Sequence, residues 1–227
     1  MPAAEPPPDL LKRVLERETA TEAVRGNYAY RQKVLVEELE VRGRKRGEYK
    51  EARDVVFTPE GQRHEQMVGK PVSTLDRLRL TEEDFRDLRE VQPFLFTREQ
   101  LMLYRAQFKG DEQVEGKACW VLLISPRQIL HGQRLFEGLV WVLQDSYAVI
   151  RMEGRAVPQS LGLKQENLFP RFTTVRREVD GHWFPDRTVA DDVLEFRNGP
   201  LRIKMNIEYS QYKRFGAESK ITFGEPK

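Results

Sequence analysis

The stretch Leu201-Arg202-Ile203-Lys204-Met205-Asn206-Ile207-Glu208-Tyr209 alternates without a break between apolar and polar side chains. A period of two puts Leu201, Ile203, Met205, Ile207 and Tyr209 on one face of a strand, buried, and the charged set on the other, wet. Asn198-Gly199 stands just before this run and Asp180-Gly181 a strand's length earlier. Both dipeptides supply the positive φ angles that tight hairpins need. Strands joined by such turns are antiparallel, because a parallel sheet would require long crossovers.

Working outward, the same reading marks strands at 104–109, 117–125, 135–143, 147–156, 171–179, 182–196 and 201–215, with a turn at Asp145-Ser146. Nearer the N-terminus, Tyr28, Tyr30, Val34 and Val36 share one face, opposed by Arg31, Lys33 and Glu37. Gly43 to Gly47 turn this strand back, and Tyr49, Val55 and Phe57 line up on its return. Helical spacing appears at 9–25, where Asp9 is placed to cap and Leu10, Leu11, Val14, Leu15, Ala23 and Val24 form a stripe. Thr81-Glu82-Glu83-Asp84 opens a second helix over 81–92 with Phe85, Leu88 and Val91 on its apolar side, and Thr97-Arg98-Glu99-Gln100 opens a third over 98–103. Pro93-Phe94-Leu95-Phe96 connects the two and is unusually apolar for a surface loop.

Two strands carry apolar side chains on both faces. In 135–143, Leu135, Leu139 and Trp141 oppose Phe136, Val140 and Val142, and 118–124 is apolar throughout. Such strands must be covered on both sides. The expected fold is therefore mainly β (α+β): a curved antiparallel sheet of eight or more strands forming an incomplete barrel, with helices packed in its concave side. Residues 1–8 read as a flexible lead and 9–227 as a single domain, with no internal repeat or dividing linker.

Composition narrows the function classes. A chain of 227 residues is long enough to bury a sizeable core. Hydrophobic residues make up 39% and the mean hydropathy is -0.63, with no run near the roughly 20 apolar residues of a membrane helix. Lys and Arg number 38 against 36 Asp and Glu, a net +2, so the basic excess of a nucleic-acid surface is missing and no nucleic-acid partner is expected. Cys119 is the single cysteine, which excludes an internal disulfide and a cysteine-based zinc site and reads as a small core residue. The opening Met1 to Asp9 has no charged or apolar leader pattern, and its Pro- and Ala-rich character is that of a mature secreted chain or of a disordered cytosolic terminus.

Catalytic patterns are not found. Phosphate-binding glycine loops, zinc-protease helices and the nucleophile-elbow pattern have no match. His64, His131 and His182 lie far apart in sequence, each near a turn or strand end. Ser210-Gln211-Tyr212-Lys213 has the spacing of an acylating serine and lysine, but in a strand the two point to opposite faces, as do Asp191 and Asp192. The chain is expected not to be an enzyme and to carry neither metal nor cofactor.

Two features remain. The aromatics are numerous for a thin sheet–helix interface: they either fill an ordinary core or line an apolar cavity suited to an acyl chain. In the cavity reading Phe85, Leu88, Phe94 and Phe96 form a lid facing Val55, Phe57, Phe136 and Trp141. The second feature is the basic hairpin tip, Arg42, Arg44, Lys45 and Arg46. It is either a solvated end that discourages edge pairing or a contact for anionic membrane lipid or an acidic partner.

Several stretches together resemble a known group: Asn27 to Gln32, Leu80 to Asp84, Gln92 to Phe94, Glu137 to Val142, Asn167 to Phe172 and Tyr212 to Gly216. The chain resembles, over roughly 25–225, uncharacterised secreted bacterial proteins of the LolA/LolB-like outer-membrane lipoprotein-sorting superfamily. That resemblance implies a half-barrel plugged by helices, a periplasmic location and a carrier holding lipoprotein acyl chains or other lipophilic cargo between sheet and lid, without covalent chemistry. No lipobox cysteine is visible, so a membrane-anchored receptor role is not implied. Alternatives are an envelope sensory or structural module of the same fold that binds a protein partner and, third, a hydrolase assembled from distant strands.

Overall fold

The computed structural model describes residues 5–58, 62–161 and 166–215. The start of the expected flexible lead, residues 1–4, and the end of the expected domain, residues 216–227, lie outside the described residues.

Helix α1 (Leu10–Arg25) buries Leu10, Val14 and Leu15 together with Glu18 and Thr21. Asp9 stands at its N-terminus but does not cap it; its carboxylate pairs with Arg13 at 2.8 Å. The expected stripe also stops short of the end, since Ala23 is exposed and Val24 only half-buried. The chain then forms the hairpin β1 (Tyr28–Leu39) and β2 (Lys45–Phe57), followed by the short strands β3 (Arg63–Met67) and β4 (Val72–Ser73), both on β2.

The helical insert differs from the expected pair of helices. Thr81 and Asp84 make a complete capping box, yet helix α2 runs only over Glu82–Arg86. Asp87–Val91 continue as one π turn, and the third helix is a single 3-10 turn, Glu99–Met102. A π turn accommodates one extra residue and rotates those that follow. Here Leu88 and Val91 are buried while Arg89 stays half-exposed.

The remaining strands are β5 (Tyr104–Val114), β6 (Lys117–Pro126), β7 (Leu135–Leu143), β8 (Val149–Val157), β9 (Ser160–Leu161), β10 (Glu166–Asn167), β11 (Phe172–Val179), β12 (His182–Phe196) and β13 (Gly199–Arg214). An 11-stranded sheet runs in the order β3-β2-β1-β13-β12-β11-β8-β7-β6-β5, with β4 on β2; β9 and β10 pair separately. Every pairing is antiparallel. The path is open, ending on β3 at one side and β5 at the other, so the barrel is incomplete. The alternating run of β13 is central, with Val34 opposite Ile207 and Val36 opposite Met205 on β1.

One contiguous apolar cluster takes side chains from β2 near one edge (Val55, Phe57) and β5 at the other (Tyr104), and joins them to α1, Leu88, Val91, Phe94 and Phe96. The sheet therefore curls around α1 and the insert. Gly138 and Gly154 face each other across β7 and β8. A Cβ on Gly138 would fall 2.1 Å from the Glu153 carbonyl oxygen and 2.8 Å from the Phe136 ring. Only glycine lets that ring lie flat along the sheet.

The opposite face of β6, β7 and β8 carries a second cluster: Cys119, Val121, Trp141, Leu143, Ala148, Ile150 and Trp183. Trp141 belongs here, which corrects its expected place in the concave cavity. Its indole N–H donates to Glu112 at 2.8 Å, and the Arg151 guanidinium lies 4.7 Å over its ring. Alternation fixed Trp141 opposite Phe136; what it does not fix is which face turns inward.

Candidate functional site

The apolar connector Pro93 to Phe96 is fastened from two sides. Glu18 of α1 and Arg176 of β11 form an ion pair at 2.8 Å. Arg176 Nη2 donates to the Phe94 carbonyl at 2.6 Å, and the Phe96 N–H donates to Glu18 Oε2 at 3.2 Å. So held, Phe94 stacks on Phe136 at 5.2 Å and tilts against Tyr104 at 5.2 Å. The π turn is held in turn by Asp87, fully buried, which accepts from Arg134 Nε at 3.2 Å. Burial, only partly offset by Arg134, pushes the Asp87 carboxyl up to about 6.

Beside this connector opens a cavity of about 690 Å³. Its walls come from the last turns of α1 (Glu22, Arg25), the end of β2 (Phe57), β3 (Arg63, His64, Glu65), the π turn (Arg89), the connector (Pro93, Phe94, Leu95) and Gln100. Phe57, Pro93, Phe94 and Leu95 make an apolar floor; the rest is charged or polar. Arg63 is fully engaged, donating to Glu65 at 2.7 Å, the Tyr30 hydroxyl at 3.0 Å and Gln32 Oε1 at 3.1 Å. Glu65 also pairs with Arg53. Arg25 lies 5.1 Å over the Phe57 ring, and burial pulls its guanidinium below the ordinary value, with Arg63 and Arg176 pushing the same way. Burial raises the Glu22 carboxyl above its usual range.

A further cavity of about 340 Å³ lies at the other end of the sheet, between Leu78, Phe196 and Leu201, but under α2 the concave side is filled. The crevice beneath α2, between Leu80, Leu88, Phe169, Ile203 and Met205, has room for about 20 Å³, roughly one water. Of the eight residues expected to form cavity and lid, Phe57 and Phe94 line the open cavity. Val55, Leu88, Phe96 and Phe136 are buried in the core around it. Phe85 is half-buried against Tyr49 at 5.8 Å and Arg53 at 5.7 Å, and Trp141 lies on the other face.

The basic tip stands at the far end of the hairpin. The cavity sits where β1 begins and β2 ends, and the tip lies beyond Leu39, about 40 Å away at the usual strand rise. Arg44 pairs with Glu40, Lys45 with Glu37 and Glu48, and Arg46 with Glu40 and Asp76. Acids on the same hairpin thus neutralise most of the tip. Its position separates it from the cavity mouth.

His64 reaches the cavity rim. Cys119 is buried in the outer cluster, and burial raises its thiol. Among the described residues no three His, Cys, Asp or Glu side chains converge for a metal ion, and no helix is long and apolar enough to cross a membrane.

The sequence reading missed Arg25, Arg63 and Arg89. In a single sequence an arginine in a helix's last turn, or in a strand as polar as Arg63-His64-Glu65, looks like solvated surface.

No family model and no curated protein matches the sequence. Solved structures do match. A structure described as an outer membrane lipoprotein-sorting protein domain from Vibrio parahaemolyticus is similar at 13% identity and a TM-score of 0.44, over 92% of this chain and 94% of that one. A DUF1329 family protein from Desulfovibrio piger is similar at 13% identity and 0.43, over 93% and 95%. A LolA superfamily protein from Nitrosomonas europaea is similar at 16% identity and 0.38, over 91% and 94%.

Proposed function

We propose that this chain is a non-catalytic binding protein of the bacterial envelope that holds the acyl chain of a lipid or lipid-modified protein against the connector. The observation that supports this is the 690 Å³ cavity floored by Phe57, Pro93, Phe94 and Leu95. That volume lies within the range of small-molecule sites, roughly 300–1,000 Å³. Aromatic rings at its base give an alkyl chain apolar area to bury, at roughly 25 cal/mol per Å². A periplasmic setting follows from this reading, since lipophilic cargo crossing an aqueous compartment needs a soluble cover.

The filled crevice under α2 sets a condition. A chain longer than the open cavity enters the half-barrel only if the insert, Glu82 to Met102, shifts outward. That insert is built from short helical pieces rather than one long helix, and its connector is held both by polar bonds to Glu18 and Arg176 and by the buried rings of Phe94 and Phe96.

The test is titration with an environment-sensitive fluorescent fatty acid. Phe57→Ala and Phe94→Leu should each weaken binding about tenfold, while Val121→Ala in the outer cluster, at a comparable loss of melting temperature, should not. Equal weakening by all three variants, or no binding by the parent chain, would remove the proposal.

A further inference from the structure

We propose that this cavity recognises an anionic head group, a carboxylate or phosphate, through Arg25 and Arg89, so that its ligand is an acidic amphiphile with its tail on the aromatic floor. The inference rests on the acyl-binding reading for the tail and on separate observations for the head.

The first is a charge imbalance inside the cavity wall. Three guanidinium groups line it, Arg25, Arg63 and Arg89, against two carboxylates, Glu22 and Glu65. Glu65 is occupied by Arg63 and Arg53. Arg176, which also acts on Arg25 through space, has its own carboxylate in Glu18. Glu22 is near enough to influence Arg25, but the two form no ion pair or hydrogen bond, and burial works against the charged form of Glu22. Arg25 and Arg89 are therefore the cavity cations without a hydrogen-bonded acid among the described residues.

The second is where Arg25 has been put. A cation in the last turn of a helix is favoured by the helix dipole, which would be satisfied equally with the side chain in water. Arg25 instead lies over Phe57 inside the wall, where burial acts against its charge more strongly than Tyr30 and Glu22 favour it. A partly desolvated cation with no hydrogen-bonded acid costs stability, and a ring contact offsets only part of that. A carboxylate or phosphate in the cavity would meet planar donors suited to two parallel hydrogen bonds.

The third is the amphipathic layout. The cations come from the end of α1 and the π turn, the apolar floor from β2 and the connector. One molecule with a charged end and an alkyl end matches both.

The experiment compares dodecanoate, dodecyl phosphate, dodecanol and inorganic phosphate by calorimetric titration on the parent chain and on Arg25→Gln/Arg89→Gln. Arg25→Lys/Arg89→Lys retains the charge, and Arg42→Gln/Arg44→Gln removes two charges at the distant tip. The expected result is that both anionic amphiphiles bind roughly tenfold or more tightly than dodecanol. That ratio falls toward one in the Gln pair, is retained in part by the charge of the Lys pair and is untouched by the tip variant. Inorganic phosphate that binds alone and loses its site in the Gln pair also supports the head-group site, with a free anion as its occupant. Equal binding of dodecanoate and dodecanol, unaffected by the Gln pair, overturns the head-group inference and leaves acyl binding standing. Failure of every chain to bind overturns the acyl reading, and failure of inorganic phosphate as well overturns both. Melting temperatures of the Gln pair, expected to be equal to the parent's or higher, separate loss of recognition from loss of fold.

Discussion

Glu18 and Arg176, 1% exposed at either side chain, bridge α1 to β11 and carry the connector between them. A buried ion pair contributes little net stability over an apolar replacement, but losing one partner strands a charge. Glu18→Gln or Arg176→Met alone should therefore cost about 3–5 kcal/mol in chemical denaturation, and Glu18→Leu/Arg176→Met should recover much of it. A double variant as unstable as the worse single one would show that the bonds to Phe94 and Phe96, not the charges, dominate.

Asp87 makes stability depend on pH. Its carboxyl, near 3.8 when exposed, is pushed to about 6 by burial in the folded chain. Between those values the folded state holds a proton that the unfolded state has released, so stability falls as pH rises from about 4 to about 6 and returns on acidification. The change is of order 2–3 kcal/mol. Asp87→Asn, which mimics the protonated form, should flatten that part of the profile; an unchanged slope in the variant would assign it to other groups.

Trp141 belongs to the outer cluster, so its loss should lower stability without touching the site. Trp141→Ala is expected to cost about 3–5 kcal/mol with the dissociation constant of a fatty-acyl probe unchanged. Weakened probe binding in a folded Trp141→Ala would return that ring to the cavity.

Gly138→Ala places a methyl group against the Glu153 carbonyl and the Phe136 ring. The expected loss is about 1–3 kcal/mol by thermal unfolding, with Phe136→Leu in the same chain restoring part of it by making room. Additive losses would mean that backbone contact alone sets the penalty.

Much of the sheet was legible in the sequence, and the reasons are local. Asp180-Gly181 and Asn198-Gly199 do supply positive φ at Asp180, Gly181 and Gly199, and the alternating run of β13 buries the side chains its period assigns. Strand β3 was missed because Arg63-His64-Glu65-Gln66-Met67, at the sheet edge, has no apolar face to reveal it. Strand β5 continues past its expected end through a bulge between Phe108 and Gly110 into mostly exposed residues. The break of the second helix into a π turn leaves no mark on hydrophobic period, and within that turn Arg89 lines the cavity while Leu88 stays in the core. The site was half visible: the apolar connector stood out, whereas its cations could not be told from surface charge until their neighbours were known.

The central claim is that an acyl chain lies on the connector, and photo-crosslinking tests it most directly. A fatty acid carrying a diazirine near its methyl end is bound, irradiated and mapped by peptide mass spectrometry. The account predicts adducts at Phe57 and at Pro93 to Leu95, reduced by excess unlabelled fatty acid. Adducts confined to the exposed Val68 and Val72 or to the outer cluster around Trp141, or none that unlabelled fatty acid displaces, would contradict it.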